Sequence, residues 1–173
     1  STATRIKFLL GHIIEELTLF LVREAGHEVT MCQEEVKVNG VKGHIDAMID
    51  GELVDVKSAS PYGFRKFHNG SLKNDDPFGY IYQISSYAKA LKKDAGYFLA
   101  VDKSNGFMTL LKTDVTDVNP EERIDQLRKT LSDKEPPEKC YQPTEEANGN
   151  KKLAIGCKFC DFKKICWEDS NDG

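Results

Sequence analysis

The segment Gly43-His44-Ile45-Asp46-Ala47-Met48-Ile49-Asp50-Gly51-Glu52-Leu53-Val54-Asp55-Val56-Lys57 sets three aspartates and a lysine among residues that otherwise favour a buried sheet. Asp50-Gly51 is a two-residue hairpin signal, because both residue types tolerate the positive φ that a tight turn matched to strand twist requires. Closing the hairpin there pairs Ile49 with Glu52, Met48 with Leu53, Ala47 with Val54, Asp46 with Asp55 and His44 with Lys57. Asp46 and Asp55 then face each other at roughly 5 Å between Cβ atoms, where like charges destabilise a sheet unless something neutralises them. Alternation sends Ile45, Ala47, Ile49, Val54 and Val56 to the core face and keeps both acids and Lys57 on the other. Two opposed carboxylates form a hard-oxygen site suited to Mg²⁺ or Mn²⁺. A lysine alongside can orient or deprotonate an attacking water and stabilise an anionic transition state. An isolated Asp-x-Lys triplet would be a solvated ion pair contributing under about 1 kcal/mol. Opposition to a second acid across a defined turn is what points to a site.

Upstream, Thr4 to Ala25 has helical periodicity and stops at Gly26, the residue type a helix C-terminus favours. On a helical wheel Arg5, His12, Glu16 and Arg23 form a solvated polar stripe of a core helix. Glu15 falls instead beside Phe8, Gly11, Leu19 and Val22, where a carboxylate is costly unless neutralised or coordinated. Glu15 is therefore the first choice as a third ligand, with Glu16 and His12 as alternatives. Glu28 to Val38 and Val41 to Ile49 alternate as strands around the turn Asn39-Gly40. Downstream, Ser58 to Phe78 reads as a loop punctuated by Pro61, Gly63, Gly70 and Pro77. Within it Tyr62, Phe64, Arg65, Lys66, Phe67 and His68 interleave aromatics with cations, as in a surface that tracks single-stranded nucleic acid or in a loop whose aromatics plug the core. Gly79 to Asp94 reads as a helix, Gly96 to Val101 and Gly106 to Leu111 as a hairpin, and Pro120 to Ser132 as a charged surface helix. That order predicts an α/β fold with a mixed central sheet flanked by helices.

At 173 residues the chain fits one core domain, residues 1–133, and a small appendage, 134–173. A hydrophobic share of 39% and a charged share of 30% describe an ordinary globular protein, and the net charge of −4 gives no global attraction to nucleic acid, so DNA contact must come from a local patch or from bound cations. No apolar run is long enough to cross a bilayer, and no secretory leader is recognised. Four of the five cysteines, Cys140, Cys157, Cys160 and Cys166, follow a proline-rich tether in the pattern Cys-x16-Cys-x2-Cys-x5-Cys. Without a secretory context such a set suggests metal rather than disulfides, either tetrahedral zinc or an iron–sulfur cluster. Cys32 reads as a buried strand residue.

Asp46, followed on the next strand by Asp55-Val56-Lys57, resembles the core of the PD-(D/E)XK nucleases. Within that superfamily the chain is similar to the RecB-like exonucleases, which include CRISPR-associated iron–sulfur nucleases, the AddB nuclease domain and phage exonucleases. Gly11-x3-Glu15 resembles the branch's helical Gly-x3-His motif with glutamate in place of histidine, and Gln83-Ile-Ser-Ser-Tyr87 matches its Gln-x3-Tyr motif. The spacing Cys157-x2-Cys160-x5-Cys166 matches its iron–sulfur members. The likeness runs from Gly11 to Cys166 and implies a restriction-endonuclease-like core with a C-terminal cysteine-rich module. It implies that Asp46, Asp55, Glu15 and the Val56 carbonyl hold one or two divalent cations, that Lys57 serves the nucleophilic water, and that Gln83 and Tyr87 position the DNA. From the residues alone, Gln83 and Tyr87 share a helix face, where a tyrosine is more often packing. Arg65, Lys66 and Tyr87 are the candidate DNA contacts. The resemblance implies a [4Fe-4S] cluster, against the zinc that spacing alone favours; relatives usually take the first cysteine from near the amino terminus, which has none here, so Cys140 is the natural fourth ligand. A DNA exonuclease acting on ends or single strands in the cytoplasm of a bacterial or phage-infected cell is the implied function. A structure-selective endonuclease and a catalytically idle DNA-binding scaffold are the competing ones.

Overall fold

A computed structural model describes residues 2–134, 137–146, 148–158 and 160–167. The chain divides into two compact units, residues 1–126 and 127–173, so the boundary falls inside a helix, not after it. The first unit begins with helix α1 (Thr2–Glu24), strands β1 (Val29–Thr30), β2 (Glu35–Val38), β3 (Val41–His44), β4 (Ala47–Ile49) and β5 (Glu52–Ala59). Helices α2 (Pro61–His68) and α3 (Tyr80–Leu91), strands β6 (Ala95–Asp102) and β7 (Met108–Asp114) and helix α4 (Pro120–Ser132) follow. A five-stranded sheet runs β1-β4-β5-β6-β7, and β2-β3 form a separate two-stranded sheet. The β5–β6 pair is parallel and its neighbours are antiparallel, which makes the sheet mixed as the element order predicts.

The central hairpin closes where expected. Asp50 (φ 50°) and Gly51 (φ 77°) are both left-handed, as this turn demands, and the register is Ile49 with Glu52, Met48 with Leu53 and Ala47 with Val54. The Asp50 carboxylate braces the turn by accepting from the Glu28 N–H at 2.9 Å and by pairing with the His27 ring at 2.6 Å. Beyond Ala47 the expectation fails. Val41 to Ile49 is not one strand: it breaks at Ile45-Asp46, His44 pairs with Glu35 instead of Lys57, and the Ile45 N–H donates to the Glu34 carbonyl at 3.1 Å. The break lets one segment serve two sheets, and it moves Ile45 out of the Ala47 layer into the cluster of Leu53, Ile84 and Phe98.

Leu53, Val54, Asp55 and Val56 are all buried, because β5 is covered on both faces. Leu19 of α1 packs on Ala47 and Val56, while Leu53, Phe98 and Ala100 meet Ile84 and Ala88 of α3. A strand enclosed in this way reads as a nearly continuous apolar run, so an acid within it is conspicuous. Helix α1 ends at Gly26 (φ 94°) with the backbone bonds of a left-handed cap. Its far side is not a purely polar stripe: Ile6, Leu10, Ile13, Leu17 and Phe20 are each 51–53% exposed.

The expected loop after β5 contains a helix. Ser60 caps α2 by accepting from the Gly63 N–H, and Pro61 occupies the first turn, where its missing N–H costs nothing. The helix drives Phe67 against Phe98 at 5.5 Å between ring centroids. Among the described residues no helix is long and apolar enough to cross a membrane.

The second unit contains strands β8 (Thr144–Glu145) and β9 (Lys151–Lys152) and short helices α5 (Ile155–Lys158) and α6 (Lys163–Cys166). All five cysteines are free thiols, Cys32, Cys140 and Cys160 exposed and Cys157 and Cys166 half-buried. Cys32 is thus not a buried strand residue: it lies between strands, where Arg23 donates to its sulfur at 3.1 Å. Among the described residues no three His, Cys, Asp or Glu side chains stand in metal-holding geometry, so the four late cysteines are not gathered into a site.

Candidate active site

Asp55 sits in mid-β5 with 1% of its surface exposed. Strand parity turns it, with Leu53 and Lys57, toward α3. Among the described residues neither Asp55 oxygen finds a well-formed hydrogen-bond donor; Oδ2 forms an ion pair with Lys57 Nζ, and Oδ1 has no partner. A buried carboxylate left in that state is costly and calls for an explanation beyond packing. Burial drives its pKa up to about 7, the Lys57 charge pulling it down in part and the charges of Asp46 and Glu15 adding to the rise.

Asp46 stands in the break between β3 and β4, so it is not a ladder partner of Asp55. Its Oδ2 accepts the Val56 N–H at 2.7 Å, taking the place of a backbone acceptor where the ladder stops. Burial raises its pKa as well, with Val56 and Lys57 opposing. Glu15 reaches the same cluster from α1 with a side chain only 13% exposed. Its pKa is raised by burial and by Asp46. Glu16 is exposed, and His12 lies on the rim at 3.8 Å from Glu15 with its ring 75% exposed.

Lys57 extends from the same strand to α3. Burial acts most strongly and lowers its pKa, but the charge and contact of Asp55, with Asp46 and Tyr80 adding, together outweigh it; the net shift is upward and the side chain is an ammonium. It donates to Gln83 Oε1 at 3.2 Å, and Gln83 Nε2 donates to the Tyr87 hydroxyl at 3.2 Å. A chain of polar contacts thus runs Asp55, Lys57, Gln83, Tyr87. It ends against β3, where a Cβ on Gly43 would stand 2.7 Å from the Tyr87 ring. Glycine is required there by close approach, not by backbone conformation.

Two residues at the site are absent from the sequence-based set. Tyr80 places its ring 4.9 Å below Lys57 Nζ, and burial raises its pKa. The signal was available, since Tyr80, Gln83 and Tyr87 lie three and four apart on one helix face. Gln33, between β1 and β2, donates from Nε2 to Glu15 Oε1 and from its backbone N–H to the Asp46 carbonyl at 3.3 Å. Nothing in the strand pattern pointed to it. On α2, Arg65 is exposed with its guanidinium 6.0 Å from the Tyr62 ring. Lys66 is instead tied to Asp75 through both the carboxylate and the main-chain oxygen.

The donor chemistry fits a hard divalent cation: carboxylate oxygens only, one of them buried without a partner. The cage is not closed: among the described residues no three acids stand in metal-holding geometry, and one Asp46 oxygen is bonded to the Val56 N–H.

An α/β domain with an acid and a lysine two residues apart on a central strand, facing a helix that carries Gln-x3-Tyr, defines a class. The family model of the PD-(D/E)XK nuclease superfamily matches residues 5–167, and the chain belongs to that superfamily. No curated protein is detectably similar in sequence. Several solved structures resemble it distantly, two of them as follows. One is an alkaline exonuclease (LHK-Exo) from Laribacter hongkongensis, 14% identical, covering 72% of this chain and 74% of its own, with a TM-score of 0.46. The other is SSO0001, 17% identical, covering 92% and 70%, with a TM-score of 0.48.

Proposed function

We propose that the chain is a divalent-metal-dependent DNA exonuclease of the RecB-like branch. The observation that carries this reading is the buried Asp55 carboxylate, with an unpartnered oxygen, facing two further acids and beside an ammonium. A structural ion pair would not be built with one carboxylate oxygen orphaned. Asp46, Asp55, Glu15 and the Val56 carbonyl would hold Mg²⁺ or Mn²⁺, which supplies Lewis-acid activation of the scissile phosphate. Lys57, held charged by Asp55 and supported by Tyr80, donates to the attacking water or to the developing negative charge; as an ammonium it is a donor, not a base. Gln83 fixes the Lys57 head, and Tyr87 fixes Gln83. Arg65 offers an exposed cation for the DNA backbone, while Lys66 and Tyr87 act mainly through the fold. The Cys140, Cys157, Cys160 and Cys166 pattern supports a structural [4Fe-4S] cluster or zinc in the second unit, outside the reaction.

End-labelled linear DNA and circular single-stranded DNA, each incubated with Mg²⁺ or Mn²⁺, test the proposal. Stepwise loss of the linear strand, sparing of the circle, and loss of cleavage with retained binding in Lys57→Ala are expected. Nicking of the circle would make the protein an endonuclease. No cleavage by the wild type with either cation would leave a DNA-binding module.

A further inference from the structure

Gln33 occupies a backbone conformation that side chains rarely adopt, with φ 55°, and Met31 two residues earlier has φ 52°. Neither is glycine, asparagine or aspartate, the residues that tolerate this region, so the β1–β2 connection stores strain. Strain of this kind persists where the surroundings over-determine it, and it concentrates at functional sites. The surroundings here are two of the three acids. The Gln33 N–H is bonded to the Asp46 carbonyl at 3.3 Å, and its side-chain amide is bonded to Glu15 Oε1. One residue therefore ties the α1 acid to the acid in the strand break, and only the left-handed turn lets its main chain and side chain serve both.

We infer that Gln33 is a positioning residue that holds Glu15 in place to receive the divalent cation; this rests on the metal-dependent nuclease reading above. Glu15 is pressed toward two like charges, and the His12 ring, 3.8 Å from its carboxylate, is largely solvent-exposed. A glutamate with free rotamers in that field turns outward to water. The Gln33 amide opposes this by holding Oε1, so that cation binding falls to Oε2, which faces the exposed His12 ring at 3.8 Å. Outer partners that orient a ligating group typically cost 10–100-fold in metal affinity when removed.

The substitution that isolates the amide is Gln33→Gly. Glycine takes positive φ without strain and keeps the N–H to Asp46, so only the side-chain contact is lost. Gln33→Asn, also tolerant of this conformation but a methylene too short, is the second variant. Mn²⁺ is titrated calorimetrically into the metal-free full chain, thermal melts are recorded in EDTA, and binding to single-stranded DNA is measured without metal. The expected result is a 10–100-fold weaker Mn²⁺ affinity in both variants, with melting of Gln33→Gly at or above wild type and unchanged DNA affinity. Wild-type Mn²⁺ affinity in either variant overturns the inference, as does a loss confined to a destabilised protein. If the wild type itself binds no Mn²⁺, the nuclease reading falls and this inference falls with it; if the wild type binds and the variants match it, only the role of Gln33 falls.

Discussion

Replacing Asp55 with asparagine should stabilise the metal-free protein, and do so increasingly as pH rises. Folded Asp55 holds its proton more tightly than the unfolded chain does, since its pKa goes from 3.8 to about 7. Protonation therefore favours the folded state: the full stability is present below the unfolded value and is lost as pH climbs to about 7. At about 1.4 kcal/mol per pH unit, that loss is about 4 kcal/mol. Asparagine mimics the protonated acid, and the pull of Lys57 on the charged form is already contained in the Asp55 value. The expected gain is about 4 kcal/mol at pH 8 and about 1–2 kcal/mol at pH 5, where folded Asp55 is still mostly protonated. Urea denaturation in EDTA at both pH values measures it. A swing between the two below about 1 kcal/mol, or of the opposite sign, would refute the burial argument. Added Mn²⁺ should restore wild-type stability and leave Asp55→Asn unmoved.

Gly43→Ala drives a methyl into the Tyr87 ring and should cost about 1–3 kcal/mol in thermal or urea unfolding. It should also lower cleavage at saturating DNA, because the displaced hydroxyl releases Gln83 and through it Lys57. Arg65→Ala should reduce the slope of log affinity for DNA against log salt by about one without altering the rate on bound substrate, as read by filter binding over a salt series. The proposed cluster requires the late cysteines to come together on binding it: iron and sulfide in anaerobically purified protein, with visible absorbance that Cys160→Ser abolishes, would show this, and a colourless protein with one bound zinc would assign the thiolates to that metal instead.

What was legible in the sequence was governed by local rules. Asp50-Gly51 can make one tight turn, so the pairing from Ile49–Glu52 to Ala47–Val54 followed from two residues, and Gly26 marked the end of α1 for the same reason. The wheel separated Glu15 from Glu16, and in the structure the first is half-buried and the second exposed. Tertiary context decided the rest. Alternation runs from Val41 through Asp46 to Ala47 without a break, so nothing local shows the chain leaving one sheet for another at Asp46. Pro61 and Gly63 read as breakers, although Ser60-Pro61 is equally a helix start; burial of Phe67 against Phe98 settles which rule wins. Gln33 depends on a backbone conformation its residue type disfavours, which no propensity encodes. The cysteine spacing is legible as a motif, but the described thiols do not converge.

The side of the sheet on which Asp55 and Lys57 emerge depends on an odd-or-even count from the Asp50-Gly51 bend. Losing a single residue between Glu52 and Val54 would leave a perfectly good strand, yet it would deliver both charged groups into the layer under Leu19 and bring their neighbours round to Gln83. Core and chemistry would fail together. Length changes in this arm can therefore survive only in steps of two, whereas the connection after Ala59 carries no such arithmetic.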